Sequence, residues 1–251
     1  MNAETPDILA AANALGLKNV ELEKQYFSRR NRVYLVRFCN DGEVRSPAIL
    51  KSYSISGGAE NEFNILKEMA AAEIKVPRPL RWNSRYLLIE HIRGYTLTDL
   101  LDRPLVDLRE WARELAIWFS DYHRYGLTAG KTCLVKEDCN PRNFIYSSGC
   151  FFALDFETER RGRPGEDVGK TCAYILTNDP SFTPDKIAAV STIILRYRLL
   201  NPEITEDILI SEIIAGFELI IGRRGKGKIS NKYLQKDRLK KIILSPDVPR
   251  R

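Results

Sequence analysis

The sequence predicts an α+β fold in two lobes: a small antiparallel β N-lobe with one long helix, then a larger, mostly helical C-lobe. Three observations predict it. Short strand-like runs crowd the first ~90 residues around a single helical pattern. The pattern turns almost wholly helical after Gly94. Proline and glycine punctuation at Val76-Pro77-Arg78-Pro79 and at Gly94 falls where the character changes. The organisation expected is an N-lobe over 1–93, a helical C-lobe over 94–221 and a basic segment over 222–251.

Thr5-Pro6-Asp7 reads as a helix start, with Thr5 as cap and Pro6 in the first turn, and the helix ends at Gly16. Glu21–Phe27, Arg32–Cys39 and Ser46–Tyr53 read as strands, and Asn40-Asp41-Gly42 supplies a hairpin turn between the second and third. Ala59–Ala72 is helical, with Phe63, Leu66 and Met69 on one face, until the prolines break it. Arg85–Ile92 is a further strand, and His91–Gly94 a linker. Beyond it, Thr98–Asp102 is a short helix. Leu108–Tyr125 is a long one with Leu108, Trp111, Leu115, Trp118 and Phe119 on a stripe. Asn143–Tyr146 and Cys150–Phe156, parted by Ser147-Ser148-Gly149, suit a hairpin. Ala173–Leu176, Pro184–Leu200 and Glu206–Ile221 read as helices.

With 251 residues, 44% hydrophobic and 29% charged, the chain has the composition of a soluble globular enzyme. No window of 18 or more apolar residues points to a membrane span, and the acidic start Met1–Asp7 lacks a signal pattern, so a cytoplasmic location is expected. Five cysteines without Cys-x-x-Cys spacing argue against a disulfide framework or zinc site. The net charge of +6 is uneven: Gly222–Arg251 carries eleven Lys and Arg against Asp237 and Asp247.

The chemistry is carried by Asp138-Cys139-Asn140-Pro141-Arg142-Asn143 and, after an apolar run, by Asp155-Phe156-Glu157. Pro141 between Asp138 and Asn143 demands a loop rather than a regular helix. A loop can turn Asp138 toward an acceptor hydroxyl while Asn143 faces a metal. Asp155, placed at the end of the strand 150–155, can meet the same metal. An Asp base and two oxygen ligands for Mg²⁺ are what phosphoryl transfer from ATP needs on one wall of a site. A second set lies upstream. Lys51 follows Ala48-Ile49-Leu50 in an apolar strand, where a lysine either snorkels to solvent or has an anionic partner. Glu62, with Glu60 as competitor, is that partner on the next helix, and the pair would hold Lys51 against the α- and β-phosphates.

These residues resemble the aminoglycoside phosphotransferase and choline kinase superfamily, a branch of the protein-kinase-like fold. Its His-Gly-Asp-x-x-x-x-Asn loop stands here as Lys136-Glu137-Asp138 through Asn143, and its metal strand as Asp155-Phe156-Glu157. Its later Gly and Asp pair is Gly165-Glu166-Asp167-Val168, and its hinge is Leu87-Leu88-Ile89-Glu90-His91-Ile92-Arg93-Gly94. The resemblance implies Asp138 as catalytic base, Asn143 and Asp155 as Mg²⁺ ligands, Lys51 and Glu62 on phosphate, and main-chain groups of Glu90 and Ile92 on adenine. Asp167 would brace the loop, and His123 would be structural.

Three departures stand out: Lys136-Glu137 replaces His-Gly, Glu157 replaces the Gly of eukaryotic protein kinases, and the turn Ser28-Arg29-Arg30-Asn31-Arg32 has no glycine. In that turn Arg30 and Asn31 would face phosphate with side chains rather than backbone amides. His91, in the hinge, is expected to point to solvent. Cys139 reads either as a reactive thiol beside the base or as a small buried filler. The expectation is an ATP- and Mg²⁺-dependent phosphotransferase acting on a hydroxyl of a small molecule or sugar. A compact atypical Ser/Thr protein kinase and a nucleotide-binding pseudokinase scaffold are the alternatives. The basic end favours a neutral or anionic acceptor, and could contact phosphates, nucleic acid or an anionic membrane surface.

Overall fold

The computed structural model describes residues 5–28, 30–39, 46–55, 57–127, 132–157, 159–224 and 229–245. The turn expected at Asn40-Asp41-Gly42 and the side chains of Thr5 and Pro6 lie outside them. The chain forms two compact units, residues 1–93 with 155–158, and 94–154 with 159–251.

The first unit is a five-stranded antiparallel sheet in the order β1-β2-β3-β5-β4 with two helices. Its strands are β1 (Lys18–Tyr26), β2 (Arg32–Cys39), β3 (Ser46–Ser52), β4 (Pro79–Trp82) and β5 (Tyr86–Glu90). Strand alternation decides what each face holds. Tyr34, Val36 and Phe38 of β2 and Ala48 and Leu50 of β3 are buried with Ile8, Ala11, Ala12 and Leu15 of α1 (Thr5–Leu15). Those four helix positions follow the i, i+3, i+4, i+7 spacing that makes one apolar stripe. Gly16, at φ 63, ends α1 as expected. The Arg81 guanidinium then donates to the Leu15 and Gly16 carbonyls at 3.0 and 2.9 Å, satisfying helix-end acceptors. The α2 helix (Gly58–Ala71) buries Ala59, Glu62, Leu66 and Met69 and contacts β4 and β5.

The two edge strands depart furthest from expectation. β1 starts at Lys18 rather than Glu21, because it is an exposed edge strand with no apolar alternation to announce it. β4 was hidden by its own proline. Pro79 takes the first residue of an edge strand, where a missing N–H breaks no ladder.

The second unit begins with β6 (Tyr95–Thr96) and α3 (Leu97–Asp102), which starts with a capping box between Thr96 and Asp99. The α4 helix (Leu108–Gly126), capped by Asp107, supplies the core stripe Trp111, Leu115, Trp118, Phe119 and Tyr122. It packs on α6 (Pro184–Leu200), while α5 (Glu166–Thr177) packs on α7 (Glu206–Arg224). Glycine lets that second pair approach closely. A Cβ at Gly169 would stand 2.5 Å from the Glu212 backbone carbon, and one at Gly216 would stand 2.7 Å from Ala173 Cβ. The hairpin expected around Ser148-Gly149 is β8 (Phe144–Ser147) with β9 (Cys150–Ala153), joined by β6 into a three-stranded sheet. Two four-residue strands, β7 (Cys133–Lys136) and β10 (Glu159–Gly162), pair with each other and are too short to show a sequence period.

Two further corrections concern position. β9 ends at Ala153, so Asp155 does not end a strand; it follows by two residues, at φ 65. The α5 helix starts at Glu166, seven residues before the apolar run at Ala173. Gly165 at φ 92, buried Asp167 and close-packed Gly169 masked its first turns. In the basic segment, α8 (Lys236–Leu244) buries Leu239 and Ile243 and leaves Lys236, Arg238 and Lys241 exposed. Lys240 pairs with Asp207 at 2.7 Å. No helix among the described residues is long and apolar enough to cross a membrane.

Candidate active site

In the first unit, β3 turns Ala48, Leu50 and Ser52 to the α1 side and Lys51 to the other. Lys51 Nζ lies 2.7 and 2.9 Å from the two carboxylate oxygens of Glu62, which is 1% exposed. Glu60, one turn-start earlier, is exposed. Burial works against the Lys51 charge, but the Glu62 and Asp155 carboxylates outweigh it and hold the ammonium above the ordinary lysine range. Asp155 Oδ1 is 3.7 Å from the same Nζ.

A residue absent from the sequence expectations joins this pair. The Tyr53 hydroxyl donates to Glu62. Tyr53 sits two positions beyond Lys51 along the same chain direction, and that period-2 spacing was the signal for it. A Cβ on Gly58 would come within 2.7 Å of the Tyr53 ring, so the glycine at the start of α2 gives the ring its room.

The segment 155–157 is gripped by the same unit. The Phe156 N–H donates to Glu62 Oε1 at 3.4 Å and Asn61 Nδ2 to the Glu157 carbonyl at 3.0 Å. The Asn31 amide donates to the Glu157 carboxylate, so Asn31 is committed to protein rather than left free in the turn. Burial, then the neighbouring Asp155 charge, pushes the Glu157 carboxyl upward. The Arg30 side chain is exposed, and its carbonyl accepts from Ser54 Oγ at 3.0 Å; Arg29 lies outside the described residues. At the hinge, the Glu90 N–H donates to the Arg78 carbonyl and its carboxylate takes the Arg78 guanidinium. The Ile92 N–H and C=O carry no hydrogen bond among the described residues. His91 is half-buried rather than turned to solvent. Its Nδ1 is buried without a hydrogen-bond partner among the described residues, and desolvation and the Arg93 charge push its pKa down.

In the second unit, Asp138 and Asn143 frame one turn of 3-10 helix at Pro141–Asn143, capped by the Asn140 side chain. Asp138 is exposed and its Oδ1 accepts from the Asn140 N–H at 3.1 Å. Asn143 is 9% exposed, and its Nδ2 donates to the Asp138 carbonyl at 3.4 Å. Its Oδ1 carries no hydrogen bond among the described residues. The loop is braced from behind. Asp167, fully buried, accepts the Lys136 N–H at 2.8 Å through Oδ2 and meets His123 Nε2 at 2.8 Å through Oδ1. His123 Nδ1 meets the Tyr197 hydroxyl at 2.6 Å. With Nε2 donating and Nδ1 accepting, all three buried polar groups are satisfied. Cys139 is a buried filler: its Sγ lies 2.9 Å from the Lys136 carbonyl, and desolvation drives its thiol pKa far upward.

Each unit therefore holds its own half of the expected set: Lys51, Glu62 and Asp155 in the first, Asp138 and Asn143 in the second. The donors suit a hard cation, being carboxylate and amide oxygens. Ligand oxygens of Glu62, Asp155 and Glu157 fall within 4.8 Å of one another.

The two-lobed arrangement, with its antiparallel sheet and helical partner, is the protein-kinase-like fold. Solved structures share it at low identity. An amicoumacin kinase, hAmiN, solved with AMP-PNP, Ca²⁺ and Ami, has a TM-score of 0.61 at 14% identity, covering 99% of this chain and 98% of that one. ADP-bound aminoglycoside phosphotransferase APH(2'')-Ib has a TM-score of 0.57 at 12% identity, over 97% and 99%. A Plasmodium vivax ethanolamine kinase has a TM-score of 0.57 at 12% identity, over 89% and 82%. No curated protein matches the sequence. The RIO domain model matches residues 15–156, more than half of the chain, and the chain belongs to the RIO domain family. The resemblance read from the motifs holds for the fold, while the family is the RIO domain.

Proposed function

We propose that this protein is an ATP- and Mg²⁺-dependent phosphotransferase that phosphorylates a hydroxyl group. The observation that carries the proposal is the buried Lys51–Glu62 pair with Asp155 beside it. A lysine held charged by a buried carboxylate is a fixed cation for the α- and β-phosphates. Asp138, exposed on its loop, orients the acceptor hydroxyl and takes its proton. The resemblance makes the Asn143 Oδ1, in the second unit, and the Asp155 carboxylate, in the first, the candidate ligands of the divalent ion, which would neutralise charge developing on the transferred group. The unused Ile92 main-chain groups receive adenine. Arg30 adds positive charge near the phosphates.

The acceptor is a small molecule or sugar, neutral or anionic in keeping with the basic end of the chain. A second reading, a protein serine or threonine, is favoured by the RIO match, since that family holds atypical protein kinases. Five free thiols suit a reducing, cytoplasmic setting.

The test uses γ-labelled ATP with sugars, amino alcohols, aminoglycosides and generic protein substrates. Wild type is expected to label one class, Asp138→Asn to keep nucleotide binding while losing transfer, and Asp155→Ala to lose the metal-dependent part of binding. Nucleotide binding without hydrolysis or transfer to any acceptor would sink the enzyme reading and leave a scaffold.

A further inference from the structure

Lys136 stands where the resembling family has histidine, and it is 1% exposed, among the largest fully buried side chains of the protein. Its Nζ donates to the Leu154 carbonyl at 2.5 Å. The Leu154 N–H donates to the Asn143 carbonyl at 2.8 Å, so Leu154 is held through both ends of its backbone within the second unit. The next residue is Asp155, whose φ of 65 is a left-handed conformation uncommon for any residue with a Cβ. The residue after it, Phe156, gives its N–H to buried Glu62 in the first unit. A buried cation thus grips the carbonyl just before Asp155 and a buried anion the amide just after it. Uncommon backbone conformations persist where surrounding groups over-determine them.

We propose that Lys136 is a positioning residue for the metal site: by fixing the Leu154 carbonyl, its ammonium keeps Asp155 in the left-handed conformation that presents its carboxylate. This rests on the phosphotransferase reading. The lysine does the work of the missing histidine with a longer stem and an amine donor, so the departure at 136 is a substitution of means rather than a loss of function. The general rule is that groups orienting a metal ligand govern metal affinity without touching the ion. Lys51 keeps its nearer partner Glu62 at 2.7 Å when Asp155 shifts, so nucleotide affinity is expected to hold while metal affinity falls.

The experiment measures Mn²⁺ binding to the protein–ADP complex by electron paramagnetic resonance, and ADP binding in EDTA by calorimetry. Wild type, Lys136→Met and Lys136→Gln are compared, each checked for a cooperative melt. Expected is Mn²⁺ affinity weakened about tenfold or more in Lys136→Met, with ADP affinity in EDTA unchanged. If the Met variant does not fold, Lys136→Gln carries the comparison and is expected to weaken Mn²⁺ about threefold or more by the same argument. Wild-type Mn²⁺ affinity in either folded variant, or parallel loss of ADP affinity in EDTA, overturns the proposal. Failure of wild type itself to bind ADP would instead overturn the phosphotransferase reading.

Discussion

Lys51 Nζ and Glu62 Oε1 stand 2.7 Å apart, in an ion pair whose side chains are 10% and 1% exposed. Removing one partner from a buried pair strands the other's charge, typically at about 3–5 kcal/mol. Lys51→Met is therefore expected to lower stability by that order and to weaken ADP binding. The double variant Lys51→Met/Glu62→Leu should lose less stability than the two single losses added. Thermal melts and calorimetry on the four proteins check this, and strict additivity would contradict the pairing.

Tyr53→Phe deletes only the hydroxyl that donates to Glu62. Glu62 keeps Lys51 and the Phe156 N–H, so the loss is that of one hydrogen bond to a charged group, about 1.5–3 kcal/mol. The melt should fall accordingly with the fold intact, and an unchanged midpoint would show that the hydroxyl contributes nothing.

Glycines in two settings should respond with opposite signs. Gly169→Ala drives a Cβ into the Glu212 backbone, and overpacking of this kind costs about 1–3 kcal/mol or more. Gly222, in the last turns of α7, has none of the described residues within 4 Å of its missing Cβ. Gly222→Ala should raise stability by up to about 1 kcal/mol through helix propensity. Denaturant midpoints of the two variants measure the contrast.

Acid stability should report on Glu166. Burial opposes its charge, but hydrogen bonds from Arg160 and Lys170 win and hold its carboxyl at about 2, below the ordinary 4.5. A carboxyl depressed by folding stabilises above its unfolded value and loses that contribution as pH falls through the folded one. The loss is expected between pH 4.5 and about 2. Melts recorded across that window should fall more steeply for wild type than for Glu166→Gln.

Much of the plan could be read in the residues, and the failures share a cause. α1, β2, α2 and α4 announced themselves because each buries one face against a core, which writes a period into the chain. β1 and β4 lie at sheet edges, and β7 and β10 are four residues long, so none has a period to read. Lys51 and its partner were legible because a lysine at the end of an apolar run either snorkels to solvent or has a polar partner, and the next helix offers Glu62. The same sign stood at Cys133-Leu134-Val135-Lys136, which was read only as a missing histidine. There the partner is a main-chain carbonyl, and no side chain marks it in the sequence. The engagement of Asn31 by Glu157 links positions 126 residues apart, a pairing that only the fold reveals.

The membership of residues 155–158 in the first unit has a practical outcome for genetic manipulation. A fragment ending at residue 93 would lack the strip that takes hydrogen bonds from Asn31 and Asn61 and gives one to Glu62. The N-lobe is thus not a cassette that can be swapped between relatives at one junction. A chimera must exchange 1–93 and 155–158 together, which makes three crossover points in the gene.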